Sequence, residues 1–146
     1  MYEYRCRIDR VVDGDTVDVD IDLGFGVWMK KQRIRLYGVD TPESRTRDAE
    51  EKVFGNMAKD FVKEHVPEGS TQVLRTKLDG KGKFGRILGE FVIEDTTLNR
   101  MLIETSNAVE YHGQSKEEIE KEHLQNRLKH KIDAALSAVS YTHLRA

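Results

Sequence analysis

The sequence is short of the residues that would commit it to several common architectures. It holds one cysteine, Cys6, so no disulfide can form within the chain, and the small disulfide-stapled scaffolds are excluded. A lone thiol also suits a reducing compartment. Only two prolines occur, Pro42 and Pro67, too few for a proline-rich linker. No apolar run approaches the ~20 residues of a membrane-spanning helix. The opening Met1-Tyr2-Glu3-Tyr4-Arg5 lacks the apolar stretch of a secretory signal. These absences lead to the expectation of a cytoplasmic protein with no membrane partner. Net positive charge is missing too: the formal charge is -2, whereas nucleic-acid binders are usually basic.

What is present fits one domain. The 146 residues, 38% of them hydrophobic, suffice for a single core and need no second one. Charge is polarised along the chain: Arg75, Lys77, Lys81, Lys83 and Arg86 stand against Asp79 alone, while Glu117, Glu118, Glu120 and Glu122 crowd a later segment. Tyr2, Tyr4, Cys6 and Ile8 alternate with polar residues, as do Val17, Val19, Ile21 and Leu23, which predicts two half-buried strands joined by the Asp13-Gly14 turn. Gly24-Phe25-Gly26 links the second to a third strand, Trp28 to Tyr37, with Ile34 and Leu36 inward. Helical spacing of Val53, Met57, Phe61 and Val62 predicts a helix from Asp48 to His65, stopped by Pro67 and Gly69. Strands over Gln72–Lys77 and Arg86–Ile93 follow, then a short helix at Thr97–Glu104. A longer helix spans Lys116–Ser137, with Ile119, Leu124, Leu128, Ile132 and Leu136 along one stripe. Three strands, a helix and two strands is the connectivity of the OB-fold, a Greek-key barrel that often binds oligonucleotides.

The chemistry concentrates in four stretches: Asp13-Gly14-Asp15-Thr16, Arg35, Asp40-Thr41-Pro42-Glu43 and Lys83-Phe84-Gly85-Arg86. They supply carboxylates and guanidinium groups. A site that hydrolyses a phosphodiester needs oxygen ligands for a hard divalent cation, a group that positions or deprotonates water, and cations for the charge growing on phosphorus. Taken singly, each stretch has a plainer reading. Asp13-Gly14 is a common turn, Arg35 with Asp40 a surface ion pair of small worth, and Asp18, Asp20 and Asp22 the wet face of a strand. The last three fail the EF-hand pattern because Leu23 stands where glycine is required. His123 and His130 lie seven apart, which marks a shared helix face and not a metal site, and no histidine is assigned a catalytic role.

Taken jointly, the stretches resemble the staphylococcal (micrococcal) nuclease family nearly end to end, from about Tyr4 to about Ala135. The likeness rests on Val12 to Val17, on Arg35-Leu36-Tyr37-Gly38-Val39-Asp40-Thr41-Pro42-Glu43, and on Lys83 to Arg86, in the family's order and spacing. It implies an α+β, mostly β fold: a five-stranded OB barrel with three helices, over residues 1–138. It implies a calcium-dependent endonuclease, a monomer acting on DNA and RNA and leaving 3'-phosphates. Under that resemblance Asp15 and Asp40 match the metal-binding carboxylates, and Thr41 the backbone carbonyl that joins them. Glu43 matches the residue beside the attacking water, and Arg35 and Arg86 the pair that grips the phosphate. Asp13 supports the ligands from behind. Lys83 matches a phosphate contact, Phe84 stands where the family often has a tyrosine, and Tyr111 matches a ring beside the nucleotide. Gly113 falls where a second tyrosine would lie, and Leu23 to Lys31 is longer and more apolar than the bacterial prototype's turn.

Two further expectations complete the reading. Residues 139–146, Val139-Ser140-Tyr141-Thr142-His143-Leu144-Arg145-Ala146, resemble a translated sequencing-adaptor read-through and are expected to be non-native, replacing an apolar C-terminal segment that the family packs on its barrel. The rival function is a catalytically inactive OB-fold module that binds nucleic acid. The intact acid cluster, which would repel phosphate in a pure binder, speaks against it.

Overall fold

The structure, a computed structural model, describes residues 2–77 and 86–145, with side chains through Ala138. Its frame is a closed barrel of five strands: β1 (Tyr2–Asp13), β2 (Thr16–Gly24), β3 (Val27–Leu36), β5 (Thr71–Lys77) and β6 (Arg86–Ile93). β1 pairs antiparallel with β2 and β5, β2 with β3, and β5 with β6. The circuit closes where β3 meets β6 in parallel, Arg33 opposite Arg86 and Arg35 opposite Leu88. This is the mostly β, OB-type barrel with three helices that the strand order predicts.

The period-2 pattern explains the barrel's interior. Cys6 and Ile8 on β1, Val17, Val19 and Ile21 on β2, Ile34 and Leu36 on β3, Leu74 on β5 and Phe91 on β6 all point inward and are sealed from solvent. Each large side chain so buried contributes about 1.5–3 kcal/mol. Burial pushes the Cys6 thiol up to about 12, since a thiolate has no solvation there. Helix α1 (Ala49–His65) closes one side of the barrel with Val62 and the following Val66. Asp48 starts it by accepting hydrogen bonds from the amides of Glu50 and Glu51. Helix α2 (Leu98–Glu104), capped by Thr97, adds Leu98 and Leu102 to the same core.

Three short strands lie beyond the predicted set. β4 (Val39–Asp40) pairs with β8 (Val109–Glu110) as a separate ribbon, and β7 (Thr96–Thr97) turns back after β6 and pairs antiparallel with its end. Two-residue strands leave no periodicity to read. The second-strand alternation also breaks. Leu23 is exposed with the hairpin tip, and Asp20 is buried, because its Oδ1 accepts from the Lys31 amide at 2.9 Å where β3 bulges against β2.

The last helix differs most from expectation. Helix α3 (Lys116–Arg145) runs past Ser137, and its apolar stripe faces outward: Leu124, Leu128, Ile132 and Leu136 are each at least half exposed. The side turned to the protein carries His123, Arg127 and His130. His130 donates through Nε2 to the Ser106 carbonyl at 2.8 Å, Asn126 donates to the Ala108 carbonyl at 3.3 Å, and the Arg127 guanidinium lies 6.0 Å over the Phe54 ring. Among the described residues no helix is long and apolar enough to cross a membrane.

Candidate active site

A cleft of about 620 Å³ opens where the β1–β2 turn, the end of β3, the β4–α1 loop, the start of β6 and the start of α3 meet. Asp13, Asp15, Arg35, Asp40, Thr41, Glu43, Arg86 and Tyr111 all line it. Lys83 and Phe84, and with them Lys81 of the basic stretch, lie outside the described residues. Of that stretch's described members, Arg75 is paired with Glu3 and Glu90, and Lys77 donates to the Tyr37 hydroxyl at 2.6 Å.

Strand register brings the cations and acids together. The Leu36 amide donates to the Asp15 carbonyl at 2.8 Å, which sets the β1–β2 turn beside Arg35. Arg35 donates through Nη1 to the Leu36 carbonyl at 2.9 Å. Its Nη2 faces Asp15 Oδ2 at 3.6 Å and Asp40 Oδ1 at 3.7 Å, longer than a charge-assisted hydrogen bond. One guanidinium nitrogen therefore sits close to both carboxylates. The parallel seam puts Arg86 diagonally next to Arg35 on the barrel's outer side, and Arg86 makes no ion pair among the described residues.

The loop from Asp40 to Ser44 is held from several directions. The Thr41 amide donates to Asp15 Oδ2 at 3.3 Å, and Asp13 Oδ1 accepts from both the amide and the hydroxyl of Ser44, at 3.1 and 2.7 Å. Asp13 thus fixes the residue next to Glu43. The Glu43 amide points at Glu51 of α1 at 3.4 Å, and its carboxylate is exposed toward the cleft. Two glycines permit this packing. A Cβ at Gly14 would come within 2.9 Å of Ala58 and Thr41, and one at Gly55 within 2.2 Å of the Glu43 carbonyl oxygen and 2.6 Å of the Ser44 amide. Gly55, in mid-helix, is what allows the Glu43 backbone to lie on α1.

The donor set answers what ion would fit. Asp15 and Asp40 flank one guanidinium nitrogen, and the adjoining Thr41 offers a backbone carbonyl, all hard oxygen. Among the described residues no three His, Cys, Asp or Glu groups gather as a metal centre. Two carboxylates and a carbonyl fit calcium or magnesium, which complete their shells with water or substrate oxygens, and do not fit a thiolate- or imidazole-bound metal.

Comparison with known proteins agrees with the residues. The family described as Staphylococcal nuclease homologue matches residues 33–135, from β3 through most of α3. The chain belongs to the staphylococcal nuclease family. The thermonuclease of Staphylococcus hyicus is 35% identical over 86 residues, covering 59% of this chain and 47% of that protein. The thermonuclease of Staphylococcus intermedius is 34% identical over 94 residues, 63% of this chain and 51% of its own. Endonuclease YhcR of Bacillus subtilis is 30% identical over 115 residues, 75% of this chain but 9% of that protein. The chain spans about half the length of the two thermonucleases it matches. Within the family match lie Arg35, Asp40, Thr41, Glu43, Arg86 and Tyr111; Asp13 and Asp15 precede it.

The cleft of this staphylococcal-nuclease-family chain also holds residues that the motifs did not mark. Gln114, Lys116, Ile119, Glu120 and His123 line it from the β8–α3 side. His123 is buried, and its Nε2 donates to Asp40 Oδ2 at 2.7 Å. Its spacing from His130 marks the shared face correctly, but a helix face carries no label for what it packs against. Asn99 of α2 is likewise unmarked: its amide bridges the carbonyls of Tyr37 and Gly89 at 2.9 and 3.2 Å, tying the turn before β4 to β6.

Proposed function

We propose that this protein is a calcium-dependent endonuclease that hydrolyses phosphodiester bonds of DNA and RNA and leaves 3'-phosphates. What supports the reading is the convergence of Asp15, Asp40, Glu43, Arg35 and Arg86 on one cleft, in a family whose relatives above are named thermonuclease and endonuclease. Asp15, Asp40 and the Thr41 carbonyl would hold calcium, which when bound supplies Lewis-acid polarisation of a phosphoryl oxygen. Glu43, exposed on a loop that Asp13 and Gly55 hold still, orients or deprotonates the water that attacks phosphorus in line. Arg35 and Arg86 present donors to the equatorial oxygens as negative charge grows on them, where a planar fork serves better than a point charge. The P–O5' bond breaks, the 5' oxygen leaves with a proton, and the new hydroxyl stays on the 3'-phosphate. Lys83, Phe84 and Tyr111 are assigned to substrate contact.

The deciding experiment is release of acid-soluble nucleotides from denatured DNA, with calcium and with excess chelator, for the parent chain and Glu43→Gln. Release should require calcium, and Glu43→Gln should lower turnover by about 10²–10⁴, the scale of a lost general base, with little change in nucleotide binding. Unchanged turnover in Glu43→Gln removes that residue from the mechanism. No release from folded parent protein replaces the reading with the inactive OB-fold binding module.

A further inference from the structure

We infer that His123 is a positioning residue for the Asp40 carboxylate, and that α3 is thereby a working part of the metal site. The inference rests on the proposed role of Asp40 as a metal ligand. Asp40 belongs to β4, a strand of two residues that among the described residues pairs only with the equally short β8, so the sheet gives its side chain little guidance. Direction comes from its two neighbours. Arg35 Nη2 stands 3.7 Å from Oδ1, and His123 Nε2 is hydrogen-bonded to Oδ2 at 2.7 Å. The histidine bond is the shorter and better defined, and His123 is 6% exposed, so water competes with it poorly.

The rest of the helix interface holds the imidazole in place. Asn126 and His130, one and two turns further along α3, bond to the carbonyls of Ala108 and Ser106, and Lys131 pairs with Glu50 of α1. These contacts set the helix's height and rotation on the barrel, and therefore where the His123 ring lands. A carboxylate with one oxygen pinned by a donor keeps the other turned to an ion, which spares the ion the cost of freezing a rotor. Partners of this kind behind metal-bound carboxylates typically change affinity by about 10–100-fold when lost. The outward apolar stripe follows from the same arrangement. The inner face of α3 is polar because its partners are a carboxylate and two carbonyls.

The experiment compares calcium affinity, measured by calorimetric titration, with melting temperature in the folded parent protein and four variants. Asp40→Asn should abolish binding. His123→Leu, similar in bulk but without a donor, should weaken it by about 10–100-fold. His123→Gln, whose amide nitrogen reaches nearly the same point, should restore most of the loss. His130→Leu removes one of several docking bonds of the same helix without touching Asp40 and should weaken affinity far less than His123→Leu does.

Parental affinity in His123→Leu overturns the inference, and so does equal weakening in His123→Leu and His130→Leu, which would mean that helix docking alone matters. A folded parent that binds no calcium overturns the metal reading and this inference with it. Should His123→Leu fail to fold, long-range proton–nitrogen spectra of the unaltered protein decide. Calcium should shift the His123 ring nitrogens while those of His65, bonded to its own helix at Phe61, stay fixed. No shift at saturation overturns the assignment.

Discussion

Inside the barrel, Ile8, Val17, Ile34, Leu36, Leu74 and Phe91 are sealed from solvent and carry no polar side-chain atom. Helix α3 turns His123, Arg127 and His130 inward and leaves Leu124, Leu128, Ile132 and Leu136 largely in water. The two regions are held by different forces. The barrel rests on apolar area removed from water, which is non-directional and large in sum. The helix rests on a few directional bonds, each with a net worth of about 0.5–1.5 kcal/mol. The barrel therefore sets stability, and α3, bonded to the cleft, sets geometry at little gain to the fold. Arg127 illustrates the cost, since its Nε is buried without a hydrogen-bond partner among the described residues.

The contrast can be broken by substitution. The largest effect belongs to the barrel: Phe91→Ala should cost about 3–5 kcal/mol in urea unfolding, the range for deleting a buried aromatic ring. A loss under 1 kcal/mol would mean that the barrel core is not where stability resides. Next comes Gly55→Ala. Alanine in place of a mid-helix glycine ordinarily gains up to about 1 kcal/mol, but here the added carbon meets the Glu43–Ser44 backbone. We expect the sign to reverse, with about 1–3 kcal/mol lost to overpacking and nuclease turnover reduced more than nucleotide binding. A stabilised, fully active variant would show that Glu43 does not depend on this contact.

A pH test isolates the core thiol. Its folded value near 12 exceeds the ordinary 9.0, so below about pH 9 both folded and unfolded chains keep the proton and stability is unaffected. Above that the unfolded chain loses its proton first, and the thiol's contribution declines until the folded value is passed. Native protein at pH 8 should accordingly resist a disulfide-exchange reagent, with labelling of Cys6 appearing only as urea unfolds the barrel. Fast native labelling would refute its burial. The smallest effect belongs to the helix's outer stripe: Leu128→Gln should change stability by no more than about 0.5 kcal/mol. A large loss there would show that the stripe is covered.

Legibility in the sequence followed the range of the forces involved. The barrel strands are visible because alternation is local, and Cys6, Ile8, Val17 and Ile34 landed where the period puts them. Asp15, Arg35, Asp40, Glu43 and Arg86 are visible because they fall within short motifs at fixed spacing, and all five line one cleft. The direction of the α3 stripe was not visible. Periodicity reports that an apolar face exists, and the partners on the barrel decide which way it turns. His123 and Gly55 were missed for the same reason, since the atoms that define their roles, Asp40 Oδ2 and the Glu43 carbonyl, are remote in sequence. Asp20 read as wet because a bulge in the neighbouring strand β3, which alternation within β2 cannot show, is what buries it.

The parallel seam between β3 and β6 has a consequence in time. Arg33 and Arg86 meet across a long stretch of intervening chain that includes all of α1 and β5. Pairings so distant in sequence form slowly, because the loop entropy is spent before any contact rewards it. A chain emerging from the ribosome has Asp15, Arg35, Asp40 and Glu43 in hand well before Arg86, and it gains the second cation only on closing that seam. Order of synthesis thus keeps the cleft half-built until the barrel is whole.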